Sequence, residues 1–454
     1  MPHGRDFRMT NIQTIKPADV HGILGKHMLA DGFDIVFDLD KSHGSWIHDS
    51  KTGQDFLDFF SFFASAPIGF NHPKMRTDAY MKEMGRIALN NITNSDLYTV
   101  EMARFVETFF QIAAPSGFHY SFWVAGGTLA VENALKAAMD WKVRKNFRKG
   151  YRSERGHKVL HFEKAFHGRG GYTVSLTNTA DARKYLYFSK FDWPRVVHPT
   201  LRFPVTNEET ARVEQEERLS VKQIEQAFLD NRDDICAIII EPIQGEGGDN
   251  QIRNEFAREL RRLADENDAM LIFDEVQTGV GLTGKWWGFQ HFDVQPDMFA
   301  MAKKMQVGGF VSTKRIDEVE NNVFHESSRI NGTWGANLVD MFRASTYLEI
   351  IRDEKLLENV NLIGPVLLKG PEGLQGEFAF QSNARGKGLM QAFDLPNGAD
   401  RDAFAKLMWK NGLAVLGSGT HSIRFRPSLN LTAADAQEGL KRIRATAEEF
   451  AKKG

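Results

Sequence analysis

A chain of 454 residues is long enough for two or three domains around a large buried core, so no disulfide or metal staple is needed. Its 57 basic and 59 acidic residues leave a formal net charge of -2, which excludes the global basic footprint of a nucleic-acid binder. No apolar stretch approaches the length of a membrane span. The single cysteine, Cys236, lies in the apolar run Ile235–Ile240, so no intrachain disulfide can form, which fits a reducing, cytoplasmic setting. Residues 1–10 are polar and carry Arg5, Asp6 and Arg8, so they lack the apolar core of a signal peptide.

In chain order, residues 18–28 have helical spacing of apolar positions and 34–40 read as a strand. Thr52-Gly53 marks a hairpin turn before Phe56-Leu57-Asp58-Phe59. Residues 59–70, crowded with phenylalanine, alanine and serine, read as a core wall. Residues 118–125 form a strand pattern broken by Gly126-Gly127-Thr128, and a helix pattern follows over 129–142. Strand, glycine pair, hydroxyl and helix start together suit an anion, because free N–H groups point outward and the helix dipole favours negative charge. A plain helix start is the alternative. Strand 159–162 leads into Lys164-Ala165-Phe166-His167-Gly168-Arg169, and residues 204–234 are a charged surface segment running into a helix. Ile235–Ile240 then delivers Glu241-Pro242-Ile243-Gln244-Gly245-Glu246.

The apolar run 269–273 reads as a buried strand with Asp274 at its end, and strand 297–302 ends at Lys303-Lys304. In an open α/β sheet, residues at the carboxyl ends of strands face the binding crevice. A carboxylate and a lysine at two such ends meet the needs of pyridoxal phosphate chemistry. The amine condenses with the cofactor aldehyde, and the carboxylate keeps the pyridine nitrogen protonated. Beyond lies Arg329-Ile330-Asn331-Gly332-Thr333-Trp334-Gly335, where the threonine hydroxyl can cap a helix starting near Gly335. A long helix follows from about Ala336, then strands within 378–394 and 413–425 and a closing helix over 433–452. There is no internal repeat and no zinc spacing.

The run Ile272-Phe273-Asp274-Glu275-Val276-Gln277-Thr278-Gly279, with Pro296-Asp297 and Ala302-Lys303, resembles the class III aminotransferases. The resemblance covers nearly the whole chain. It implies the type I pyridoxal 5'-phosphate fold, an α/β architecture with a mostly parallel central sheet. Residues 1–70 would be an N-terminal arm and part of a small domain, 71–335 the large cofactor-binding domain and 336–454 the C-terminal small domain. It selects Lys303, which follows a small residue, over Lys304 as the catalytic lysine. Asp274 becomes the partner of the pyridine nitrogen, Gly127 and Thr128 the phosphate cradle, Phe166 the ring-stacking residue and Gln277 a contact to the phenolate side. Thr333 would reach the cofactor phosphate of a neighbouring subunit, which implies a homodimer with shared active sites.

For substrates, the resemblance pairs Glu246 with Arg424, preferred over Arg426, and gives Arg169 a distal carboxylate to bind; a surface arginine is the alternative for Arg169. Several stretches are most similar to the lysine-specific members of the family: Asn94-Ser95-Asp96, 176–179, 191–195, 241–249, 277–284 and 424–427. They imply transfer of the ε-amino group of L-lysine to 2-oxoglutarate, giving 2-aminoadipate 6-semialdehyde and L-glutamate, with Asn331 a candidate for the donor's α-amine. A 4-aminobutyrate aminotransferase shares the design and its Lys-Lys-Met element resembles Lys303-Lys304-Met305. A lyase or a non-catalytic cofactor-binding protein on the same fold is more remote. Metal, nucleic acid and membrane are not expected among its partners.

Overall fold

Seven strands form the main sheet of the computed structural model, which describes residues 15–452; the polar opening, residues 1–10, lies outside them. Their spatial order is Phe118–Val124, Gly308–Thr313, Met298–Met301, Met270–Asp274, Ile235–Ile240, Lys158–Phe162 and Arg195–Val196. From Met298–Met301 outward the pairs are parallel, whereas Gly308–Thr313 runs antiparallel to both neighbours. Every residue of Ile235–Ile240, Met270–Asp274 and Met298–Met301 is buried, as expected where helices cover both faces. Register then positions the chemistry. Phe273 pairs with Ile240 and Asp274 with Ala300, so Glu241, Asp274 and Lys303 emerge along one edge of three adjacent parallel strands.

The helix expected over 129–142 spans Gly127–Arg148 and packs across Gly308–Thr313 and Met298–Met301 with Ala130, Ala134, Ala137 and Ala138 buried. A smooth small-residue face brings the two backbones close. A side chain at Gly308 would put its Cβ 2.3 Å from the carbonyl oxygen of Gly126.

Around this sheet, the N-terminal hairpin Trp46–His48/Asp55–Asp58 turns through Gly53 and is joined in parallel by Leu413–Ala414. The four-stranded sheet Ser382–Lys387, Met390–Asp394, Ser422–Phe425, Leu416–Ser418 carries Arg424 on its third strand. Helices Leu338–Asp353 and Leu356–Glu377 precede it and Ala433–Ala451 closes the chain. The charged segment 204–234 is mostly one helix, Asn207–Asp230, capped by the Thr206 side chain.

Residues 34–40 do not form the expected strand. They make one isolated bridge, Phe37 to Asp49. Asp49 Oδ1 accepts the N–H of Val36 (2.9 Å) and Asp38 Oδ1 accepts those of Asp40 (3.0 Å) and Lys41 (2.9 Å), so carboxylates replace ladder partners. The strand Gly308–Thr313 has no counterpart in the sequence reading. Among the described residues no helix is long and apolar enough to cross a membrane.

Candidate active site

Asp274 ends its strand almost fully buried, and its two oxygens are occupied differently. Oδ1 accepts the N–H of Val276 (3.0 Å), and Oδ2 lies 2.8 Å from Nδ1 of His167. His167 is equally buried, and its N–H donates to Thr177 Oγ1 (3.1 Å). The carboxylate is thus fixed in direction and shielded from water. Beside it, Glu241 ties two loops together. Its Oε1 accepts the N–H of Phe166 (3.0 Å) and its Oε2 that of Gly245 (3.0 Å). Burial pushes the Glu241 carboxyl up to about 7, with the charge of Asp274 adding and His167 opposing.

The start of helix Gly127–Arg148 has no side-chain cap, and Gly126 before it sits at φ 83°. Its first N–H groups are therefore free for an anion, at the positive end of a 22-residue helix. Any side chain at Gly127 would lie 2.9 Å from Cγ1 of Val276. Only a bare backbone lets the helix start come this close to the Asp274 loop. Gly168, at φ 128°, packs against the hydroxyls of Thr128 and Thr173, and Phe166 two residues before it is half-buried.

Lys303 and Lys304 follow their strand in a short turn, with Lys303 at φ 45°. Lys304 is buried and spent. Its ammonium donates to the carbonyls of Gln277 (2.7 Å) and Ala64 (3.2 Å). The Lys303 amine has no hydrogen-bond partner among the described residues. Burial and then the charges of Arg424 and Arg426 push it down to about 7, against the pull of Glu246 and Asp274.

The carbonyl that Lys304 holds belongs to a left-handed turn. Ser61, Phe62, Phe63 and Ala64 have φ of 45°, 51°, 61° and 67°. Such backbone costs roughly 1–2 kcal/mol per residue and persists only when its surroundings impose it. Here buried Asp58 Oδ1 accepts the N–H groups of Phe60 (2.9 Å) and Ser61 (2.8 Å), and Gln306 Nε2 donates to the carbonyl of Ser65 (2.7 Å). The segment read as core wall is partly that; Phe62 and Phe63 point outward, 38% and 49% exposed.

Across the crevice, Arg424 is buried on strand Ser422–Phe425, with Nη1 3.0 Å from Glu246 Oε2. Arg426 is fully buried and paired with Asp249, so it serves the interior of the small sheet. The other oxygen of Glu246 is taken by Lys184, a residue with no motif to mark it in the sequence. Burial alone would raise the Glu246 carboxyl, but Arg424 and then Lys184 outweigh it and hold the group below its ordinary range. Gln277 is half-buried, with its side-chain amide directly against Gly245.

Three expected residues are exposed. Arg169 is exposed and has no ion-pair partner among the described residues. Asn331 and Thr333 are exposed on a loop that packs against Asn94-Ser95-Asp96; the N–H of Asn94 donates to the Trp334 carbonyl (3.3 Å). Thr333 caps no helix: the next one begins at Leu338, and its cap is Asn337, which accepts the N–H of Val339 (2.8 Å).

Asp274 for a pyridinium, an uncapped helix start for a phosphate and a lysine amine without a partner among the described residues for an aldehyde fit pyridoxal 5'-phosphate. Asp274→Asn keeps the shape and removes the charge. It should lower turnover by about a hundred- to a thousandfold, measured as steady-state kcat with cofactor in excess.

The family model for aminotransferase class-III matches residues 29–446. The L-lysine-epsilon aminotransferase of Mycobacterium tuberculosis is 46% identical over 431 residues, 94% of this chain and 95% of the relative. A solved lysine aminotransferase from M. tuberculosis superposes with a TM-score of 0.93 at 44% identity, covering 96% of this chain and 100% of that one. The mouse mitochondrial 4-aminobutyrate aminotransferase is more distant, 31% identical over 88% of this chain and 82% of its own length. Class III aminotransferases use pyridoxal 5'-phosphate, and the mostly parallel seven-stranded sheet with its strand-end carboxylate and lysine is their fold. The chain therefore belongs to the class III aminotransferases, as a pyridoxal 5'-phosphate-dependent transaminase.

Proposed function

We propose that the enzyme transfers the ε-amino group of L-lysine to 2-oxoglutarate, giving 2-aminoadipate 6-semialdehyde and L-glutamate. The match to lysine-specific relatives over 94% of the chain, against weaker similarity to the 4-aminobutyrate enzymes, carries this reading. The buried Arg424–Glu246 pair supports it. A residue that can mask or free a carboxylate-binding arginine suits an enzyme alternating between a terminal amine and a keto acid.

Pyridoxal 5'-phosphate, when bound, supplies an aldehyde that carries the amino group and a ring that takes up electrons. The chain's residues do the rest. Asp274 holds a proton on the pyridine nitrogen, and His167 keeps its carboxylate aimed. The N–H groups at Gly127 and Thr128 would hold the phosphate, Phe166 would stack on the ring and Gln277 would contact the phenolate side. Lys303 Nζ takes a proton from the carbon that loses nitrogen and returns it on the other side of the transfer. With lysine bound, Glu246 masks Arg424 while Arg169 receives the distal carboxylate and Asn331 the α-amine. With 2-oxoglutarate bound, Arg424 takes the α-carboxylate and Arg169 the other.

Thr333 acts in this reading from a second copy, in a homodimer with shared active sites. Its exposure, and the outward-facing Trp334, Leu97, Tyr98 and Val100 around the same pair of loops, support that assembly. Domain limits near residues 70 and 335 follow the same reading. We assign the enzyme to the cytoplasm, in keeping with its one free, buried cysteine.

Single half-reactions of the holoenzyme, followed by cofactor absorbance with L-lysine, L-ornithine and 4-aminobutyrate separately, test the donor. A fast change with lysine alone and a product that cyclises are expected. Preference for 4-aminobutyrate would overturn the donor while leaving the fold and cofactor intact.

A further inference from the structure

Glu246 has two cations, not one. Its Oε2 meets Arg424 Nη1 at 3.0 Å, and its Oε1 meets the ammonium of Lys184. The three groups differ in freedom. Arg424 is 3% exposed, held within a paired strand, and its Nη1 also donates to the Gly245 carbonyl (3.3 Å). The Glu246 backbone is pinned as well: its carbonyl accepts the N–H of Gly419 (2.9 Å), and the N–H of Gly245 before it donates to Glu241. Within Glu246, the side chain alone is left to swing. Lys184 ends a three-residue helical turn, Ala182–Lys184, in a stretch where Leu186, Tyr187 and Phe188 are exposed. Its long flexible stem can follow a moving carboxylate, and its ammonium lies 6.0 Å from the centre of the Phe166 ring.

A carboxylate leaving Arg424 with no second partner would be a poorly solvated charge, since Glu246 is only 19% exposed. We infer that Lys184 is the positioning residue that keeps Glu246 paired when it releases Arg424, and so selectively supports the keto acid half of the reaction. This rests on the masking role proposed for Glu246. Lysine binding leaves both pairs in place and draws little on Lys184. Keto acid binding breaks the Arg424 pair and leaves Lys184 as the carboxylate's charge partner.

The test compares half-reactions of the holoenzyme in wild type, Lys184→Met, Lys184→Arg, Glu246→Gln and the double variant Lys184→Met/Glu246→Gln. Lys184→Met should lower the efficiency of the 2-oxoglutarate half-reaction about tenfold and that of the lysine half-reaction about twofold or less, with Lys184→Arg recovering most of the loss. In the Glu246→Gln background, Lys184→Met should add less than about a twofold effect, because the charge it acts through is gone. Equal losses in both half-reactions, no loss in either, or an undiminished effect in the Glu246→Gln background would overturn the role of Lys184. A Glu246→Gln variant that discriminates between lysine and glutamate as wild type does would instead remove the masking reading itself.

Discussion

Lys303→Ala should lower turnover by at least about a thousandfold, because in the proposed mechanism the variant loses both the amine that anchors the cofactor and the base that moves the proton. Lys304 cannot stand in. Its ammonium is engaged by the carbonyls of Gln277 and Ala64, and reaching into the crevice would abandon the left-handed turn at Ser61–Ala64. The pH profile carries the same signature. A base must be unprotonated to act, and the Lys303 amine is pushed down to about 7, so kcat should fall as pH drops below about 7. After burial, Arg424 is the strongest cause of that lowering. Removing it should move this limb to higher pH, whereas removing Glu246, which opposes the lowering, should move it to lower pH. Single-turnover rates across pH 5–9 for the three proteins would check both directions; a limb that stays put in all of them would exclude Lys303 as the titrating base.

Arg424→Gln should weaken the 2-oxoglutarate half-reaction about ten- to a hundredfold, the worth of a charged, two-pronged hydrogen bond to a carboxylate. Arg424→Lys should recover little, since an ammonium cannot reproduce the planar fork. Loss with L-lysine should be smaller, because in the proposed masking Glu246 keeps the guanidinium it already pairs with. The informative quantity is the ratio of efficiencies for the two substrates, measured by stopped-flow absorbance. A proportional loss for both would mean that Arg424 serves the small sheet's interior, as Arg426 does through Asp249.

What was legible from sequence was local. Asp274 and Lys303 could be found because each ends a continuous apolar run, and the end of a buried parallel strand is where a polar side chain meets the crevice. Gly126-Gly127-Thr128 was legible for the same reason, as a break between a strand and a long helix. His167 lies 107 residues from Asp274, and Lys184 lies 62 from Glu246. His167 did carry a signal, standing between Phe166 and Gly168 in the ring-stacking motif. Lys184, in an exposed stretch without periodicity, carried none.

The left-handed turn shows the limit most clearly. Nothing in Ser-Phe-Phe-Ala favours positive φ; Asp58 just before the turn and the distant pair Lys304 and Gln306 impose it. Residues 34–40 failed in the opposite sense, because carboxylates of Asp38 and Asp49 took the N–H groups that a strand would have offered to a neighbour.

The sequence by itself determined the strand ends that bear the carboxylate and the lysine, the glycine-led helix start and the family they belong to. Those depend on hydrophobic runs and glycines a few residues apart. Only the tertiary structure decided what engages Lys304 and Arg426 and which second cation holds Glu246. Burial and charge pairing act between residues that the chain brings together only by folding.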